Sequence, residues 1–246
     1  MEQIFGVIIS AIFGAIFGSY ATLFAYRLPI GESCFGRYFG KKSRCPQCES
    51  IIKTRDLIPL LNWIITLGRC RNCGVKIPKT HLFIEISNTV LFVLCYLKYG
   101  FSEAFLTHCL ISSGLVILLA TDYTHKTFPY QILNFILAIG LVNRVLQDGE
   151  IIQMIFSGAF GIVFAAIFYQ LFFKKIGSIF ASQEHFFDYI KFILIASVSL
   201  QFGFFLLYFT MIIAVFLMLL IFDLPNKANR NNWGYVFIIP YFWLIL

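Results

Sequence analysis

The chain has 246 residues, 59% of them apolar and only 13% charged, with a mean hydropathy of +0.83 and a net charge of +7. A soluble domain of this length does not have that composition, so the sequence reads as an integral membrane protein whose first partner is the lipid bilayer. Membrane topology accounts for the distribution of the positive charge, so no nucleic-acid partner is expected.

Apolar windows of about 20 residues, the length that crosses a ~30 Å hydrocarbon core, predict an all-α membrane fold of about eight transmembrane helices. They fall over 4–26, 82–99, 104–121, 128–146, 151–173, 189–207, 208–223 and 234–246. The first is read as a retained helix and not a signal peptide, because it starts with Glu2 and has no Lys or Arg before Arg27. The stretch 189–223 is continuously apolar and is divided near "QFGFF" and "YFT". This gives a first helix over 1–27, an insert over 28–81 and a multi-helix core over 82–246. Of the 19 Lys and Arg residues, 11 lie between Arg27 and Lys79. With the spans as drawn, one side also holds Lys126, Lys174, Lys175, Lys227 and Arg230, and the other keeps only Lys98 and Arg144. The positive-inside rule makes the rich side cytoplasmic and turns both termini outward.

The insert contains "SRCPQCESII" and "GRCRNCGVKI", two CxxC pairs separated by 21 residues. Two intervening residues make a tight turn that points both thiolates inward, and four thiolates close a tetrahedron around zinc. Cys45, Cys48, Cys70 and Cys73 are therefore the predicted ligands of a structural site with no open position for substrate. Disulfides are not expected on a cytoplasmic face, and an insert with few apolar residues would draw much of its folding energy from the metal. Cys95 and Cys109 read as buried small apolar residues.

Charges at the membrane edge are costly and ask for a reason. Asp122 ends the third span and Asp188 begins the sixth, on the same side, 66 residues apart. Two carboxylates that share a proton form an acid/base couple for peptide hydrolysis, one drawing a proton from water and the other polarising the carbonyl. The helix dipole disfavours negative charge at Asp122 and favours it at Asp188, so Asp122 is expected to carry the shared proton and Asp188 to act as the base. Asp188 also suits an ordinary N-cap, and Glu184, four residues earlier, is an alternative acid. Asp223 reads as a boundary residue, Glu85 as a partner for a basic loop residue, and His125 and His185 as solvated loop histidines. No GxGxxG, P-loop, HExxH or GxSxG pattern occurs.

"GSYATLFAYRLP" (18–29), "SRCPQC", "DLIPLLNWI" (56–64), "GRCRNCG" and "FIEI" (83–86) together resemble the N-terminal third of the type IV prepilin peptidases. The resemblance implies an eight-helix aspartic protease of the bacterial inner membrane. Such an enzyme removes a short basic leader from prepilins or pseudopilins on the cytoplasmic face, then methylates the new N-terminus with S-adenosylmethionine. It also implies that Asp122, with Pro129 at the family's spacing, is the first catalytic acid and Asp188 the second. The second motif departs from Gly-x-Gly-Asp, since His185 and Phe187 stand at the glycines. Glycine lets the backbone approach a bound peptide closely. The competing reading is therefore a weakened relative that binds pilin-like helices or serves assembly without cutting.

Overall fold

The computed structural model describes residues 2–34, 42–147, 151–168, 170, 183–200, 206–214 and 234–245. The protein is an all-α membrane protein; its extended pairing among these residues is limited to two isolated antiparallel bridges, Arg44–Ile51 and Arg69–Lys76. The helices are α1 (Glu2–Arg27), α2 (Leu61–Ile65), α3 (Lys79–Tyr99), α4 (Glu103–His125), α5 (Tyr130–Leu146), α6 (Ile151–Phe168), α7 (Gln183–Ser199), α8 (206–214) and α9 (Gly234–Ile245). Helices α1, α3 and α4 are long and apolar enough to cross a membrane; α5, α6 and α9 are apolar but shorter. Two compact units result, Met1–Phe105 and Leu106–Leu246.

In the first unit α1 packs antiparallel on α3. Its buried stripe is Gly6, Ser10, Gly14, Gly18, Ala21 and Ala25, small residues at nearly every fourth position. Lipid offers little hydrophobic drive for helix association, so close backbone packing must supply the attraction. A Cβ at Gly14 would stand 2.7 Å from the Thr89 Cα, and one at Gly18 would stand 2.7 Å from the Glu85 Cα. Large residues on the opposite face of α1, among them Ile4, Phe5, Ile8 and Ile12, are exposed. Polar side chains at the seam bond within their own helices: Thr22 to the Gly18 carbonyl at 3.0 Å, and the buried Asn88 to the Ile84 carbonyl at 2.9 Å. This leaves no unsatisfied donor facing lipid at those positions. Phe92, Tyr96, Phe101 and Phe105 form an aromatic cluster at the far end of α3, with centroids 4.6–6.5 Å apart.

In the second unit α4 is buried around most of its circumference, with Leu115 and Leu118 fully enclosed. Helix α7 packs against α5, α6 and α9. The Ser199 and Tyr241 hydroxyls are 2.6 Å apart, Tyr208 donates to the Phe237 carbonyl at 3.1 Å, and Thr107 donates to Asn143 Oδ1 at 2.7 Å.

Two boundaries differ from the hydropathy reading. Helix α4 runs four residues past 121, so Asp122 lies within its last turn. Helix α7 begins at Gln183, so Asp188 sits inside the helix and does not cap it. Hydropathy marks where a helix enters lipid, and "QEHFFD" is helical before that point. The apolar stretch 189–223 breaks after Ser199, with helix again at 206–214. Residues 201–205 and 215–233, including Asp223, lie outside the described residues.

Gly14→Leu is expected to force α1 off α3, because its Cβ would meet backbone that cannot swing away. Overpacking of this kind costs on the order of 1–3 kcal/mol or more. A thermal melt in detergent should show the loss, and an unchanged melting temperature would contradict the packing described.

Candidate functional sites

The four predicted cysteines converge. In each knuckle the first cysteine's N–H donates to the carbonyl five residues on, Cys45 to Ser50 at 3.0 Å and Cys70 to Val75 at 2.8 Å. Its own carbonyl accepts from the residue four on, Glu49 or Gly74, at 2.9 Å in both. The turn requires a left-handed residue after the second cysteine, and Glu49 (φ 54°) and Gly74 (φ 73°) occupy equivalent positions. Gly74 adopts this freely, whereas Glu49 costs roughly 1–2 kcal/mol.

All four Sγ atoms lie within 4.8 Å of one another, and Cys45 and Cys73 are 3.8 Å apart. Zinc–thiolate bonds of about 2.3 Å arranged tetrahedrally require sulfur separations of about 3.8 Å. The cluster therefore fits a metal such as zinc. Hydrogen bonds from the Ser50 hydroxyl and the Asn72 amide hold the Cys48 thiol down to about 6. At Cys73 the Val75 N–H pulls downward, but burial and the neighbouring sulfurs win and push it up to about 12. Without metal, the thiols share their protons unequally. A cation that accepts four thiolates resolves that conflict and must displace protons to enter.

Two contacts fix the insert around this centre. Arg71, inside the second knuckle, bonds Asp56 Oδ1 through Nε at 2.6 Å. Among the described residues Glu85 of α3 meets no basic loop side chain: its Oε2 accepts the Leu60 N–H at 2.7 Å. Leu60 (φ 61°) begins α2 with no side-chain cap of its own, so Glu85 supplies the acceptor from 25 residues downstream. Cys95 and Cys109 are buried, as expected of small apolar side chains.

Asp122 is 5% exposed, and its Oδ1 accepts a hydrogen bond from the Tyr189 hydroxyl at 3.1 Å. Tyr189 is stacked on Phe237 at 4.8 Å and perpendicular to Phe128 at 5.3 Å, and this packing constrains the direction of its hydroxyl. Asp188, the preceding residue, is partly exposed and pairs with Lys191 Nζ at 2.9 Å. The last turn of α4 and the second turn of α7 thus meet through a residue adjacent to Asp188. Sequence reasoning missed Tyr189. Its signal was a phenol directly after a candidate acid, which in an apolar helix reads as core. Glu184 and His185 lie on α7, but their side chains are outside the described residues. His125 is exposed at the end of α4.

Together, the fold and these sites define an all-α membrane protein with a four-thiol insert in its N-terminal unit. Residues 12–99 match the family described as Bacterial Peptidase A24 N-terminal domain. The chain is similar to a type 4 prepilin-like proteins leader peptide-processing enzyme of Escherichia coli, with 28% identity over 58% of this chain and 59% of the relative. It is also similar to prepilin leader peptidase/N-methyltransferases of Myxococcus xanthus (30% identity; 48% of this chain, 34% of the relative) and Bacillus subtilis (28%; 55% and 53%). The matched N-terminal region is thus similar to that of proteins named as prepilin leader-processing enzymes. The chain spans about half the length of the curated relatives it matches. No solved structure matches it significantly.

Cys70→Ser is expected to lower the metal content of the purified protein from about one zinc per chain to a small fraction of that. In the unsubstituted protein, acidification should release the metal, because protons compete for the thiolates as pH falls and the thiolates are free to bind as it rises. Metal analysis across a pH series checks both; zinc retained unchanged at pH 4 would contradict this assignment.

Proposed function

We propose that the chain is a membrane-embedded aspartic endopeptidase that removes the leader of prepilins or pseudopilins at the cytoplasmic face of the bacterial inner membrane. The observation that carries this reading is the Tyr189–Asp122 hydrogen bond, which joins the helix end bearing Asp122 to the helix turn bearing Asp188. The relatives' names support a leader-processing activity. The cluster of basic residues before α3 supports the cytoplasmic side.

In this reading Asp188 enters as the carboxylate, the form that its ion pair with Lys191 requires, and Asp122 enters protonated. Asp188 takes a proton from water as the water oxygen bonds to the scissile carbonyl carbon, and Asp122 gives its proton to the carbonyl oxygen. The tetrahedral diol then collapses: the C–N bond breaks, the proton held by Asp188 passes to the departing amine, and one diol hydroxyl returns its proton to Asp122 as the new C=O forms. One water is consumed and the carboxyl pair returns to its starting protonation. Tyr189 is a positioning residue. By donating to Asp122 Oδ1, it fixes the carboxyl plane.

Zinc at Cys45, Cys48, Cys70 and Cys73 is structural in this proposal, stabilising the insert over 28–81 without taking part in hydrolysis. The relatives' names also carry N-methyl transfer. A donor of the S-adenosylmethionine class belongs to that second step, and the proposal extends to it on those names alone.

Co-expression with a leader-bearing prepilin, followed by mass analysis, tests the reading. Unsubstituted protein should remove the leader, whereas Asp122→Asn and Asp188→Asn should abolish removal while remaining in the membrane. Activity lost in Glu184→Gln but kept in Asp188→Asn would move the second acid one turn earlier. Failure of the unsubstituted protein to cut would favour a pilin-binding relative, a reading that rests on His185 and Phe187 standing at the two glycine positions of the second motif. Tyr189→Phe should lower kcat roughly tenfold to a hundredfold with KM little changed, as expected for loss of a hydrogen bond to a charged or reacting carboxyl group of ~1.5–3 kcal/mol. A change confined to KM would remove Tyr189 from this role.

A further inference from the structure

The insert carries an apolar surface that the thiol centre does not use. Leu61, Ile64 and Ile65 on α2 are 54–65% exposed, with Ile58 before them at 47% and Leu67 after them at 80%. Neither α2 nor the 3-10 turn Thr54–Leu57 buries a single residue. A contiguous apolar patch of this kind, rimmed by polar residues, marks an interaction surface.

Its depth is fixed by a bond already described. Glu85 lies in the second turn of α3, inside the apolar span, and its backbone is packed against Gly18 of α1. Glu85 holds the Leu60 N–H at 2.7 Å, so α2 starts at the level where α1 and α3 enter hydrocarbon. At that level α3 itself presents Phe83, 64% exposed. The residues flanking the patch are basic: Lys53, Arg55, Arg69 and Lys76 are all exposed. Apolar side chains between basic ones, at the height of the headgroups, form the pattern of a segment that lies in a membrane interface. Each such Lys or Arg gains attraction from anionic lipid within a Debye length of the surface. A protein partner bearing a basic segment would meet like charge here.

We propose that residues 58–67 lie in the bilayer interface, with the apolar side chains at the acyl boundary and the flanking basic residues on anionic phospholipid headgroups. The thiol insert is then held against the membrane by lipid as well as by its two helices.

The full chain, reconstituted in phosphatidylcholine nanodiscs with or without phosphatidylglycerol, tests this with a phospholipid carrying a diazirine high on its acyl chain. Peptide mass mapping after illumination should show label on 58–67, as on the peptide containing Phe83, with more label when phosphatidylglycerol is present. Ile64→Asp combined with Ile65→Asp should reduce the label on 58–67 severalfold while metal content and melting temperature hold. Arg55→Gln combined with Arg69→Gln should remove the phosphatidylglycerol effect and leave the apolar labelling. An unlabelled 58–67 beside a labelled Phe83 overturns the proposal. So does protection that appears only when an apolar pilin-like peptide is added, which would assign the patch to a protein partner.

Discussion

Helix α1 lies against α3 because glycine, serine and alanine leave almost nothing between the two backbones. Much of the first unit follows from that contact. It sets an antiparallel register in which Gly6 faces Tyr96 and Gly18 faces Glu85, and so brings Arg27 and Lys79 to the same edge of the membrane. The insert leaves and re-enters at neighbouring points. Glu85 is free to reach back to Leu60 because its own helix is already in place. In a medium where apolar side chains gain little by leaving lipid for each other, shape at the backbone takes over the role that hydrophobic burial plays in water.

The second unit solves a different problem. Asp122 is deeply buried and bears chemistry that costs energy in an apolar interior unless it is hydrogen-bonded. Tyr189 supplies such a bond and itself packs against Phe128 and Phe237. Rigid aromatic packing is converted in this way into the orientation of a single carboxyl group. Asp188, one residue away, takes the opposite environment: partly exposed, with an ammonium partner. In the proposed mechanism, these unlike surroundings would divide the acid and base roles between the two carboxyl groups.

How much of this could be read from the chain depends on how local each feature is. The thiol centre was legible because each CxxC turn fixes its geometry within a handful of residues, and the pairing of turns then has few solutions. The position of Asp122 in the last turn of α4 was legible because the apolar span stops at that charge. The start of α7 was not, because helix continues through "QEHFFD" before it meets lipid, and hydropathy is silent there. Glu85 was read for a charged partner and found a backbone N–H instead. Counting charges cannot reveal a donor made available by the left-handed conformation of Leu60. Tyr189 required tertiary knowledge outright.

The placement of the thiol centre has a consequence in terms of chain entropy. Closing a loop costs free energy that grows only logarithmically with its length, and the α1–α3 pair already closes the one over 28–78. The two knuckles close a shorter loop, over 49–69, nested within the first. A chain so divided loses its inner closure without losing the outer one. Departure of the metal would then loosen a segment whose ends stay fixed, and its return would find the two knuckles still near each other. The membrane helices thus hold the ends of the insert close to each other whether or not the metal is bound.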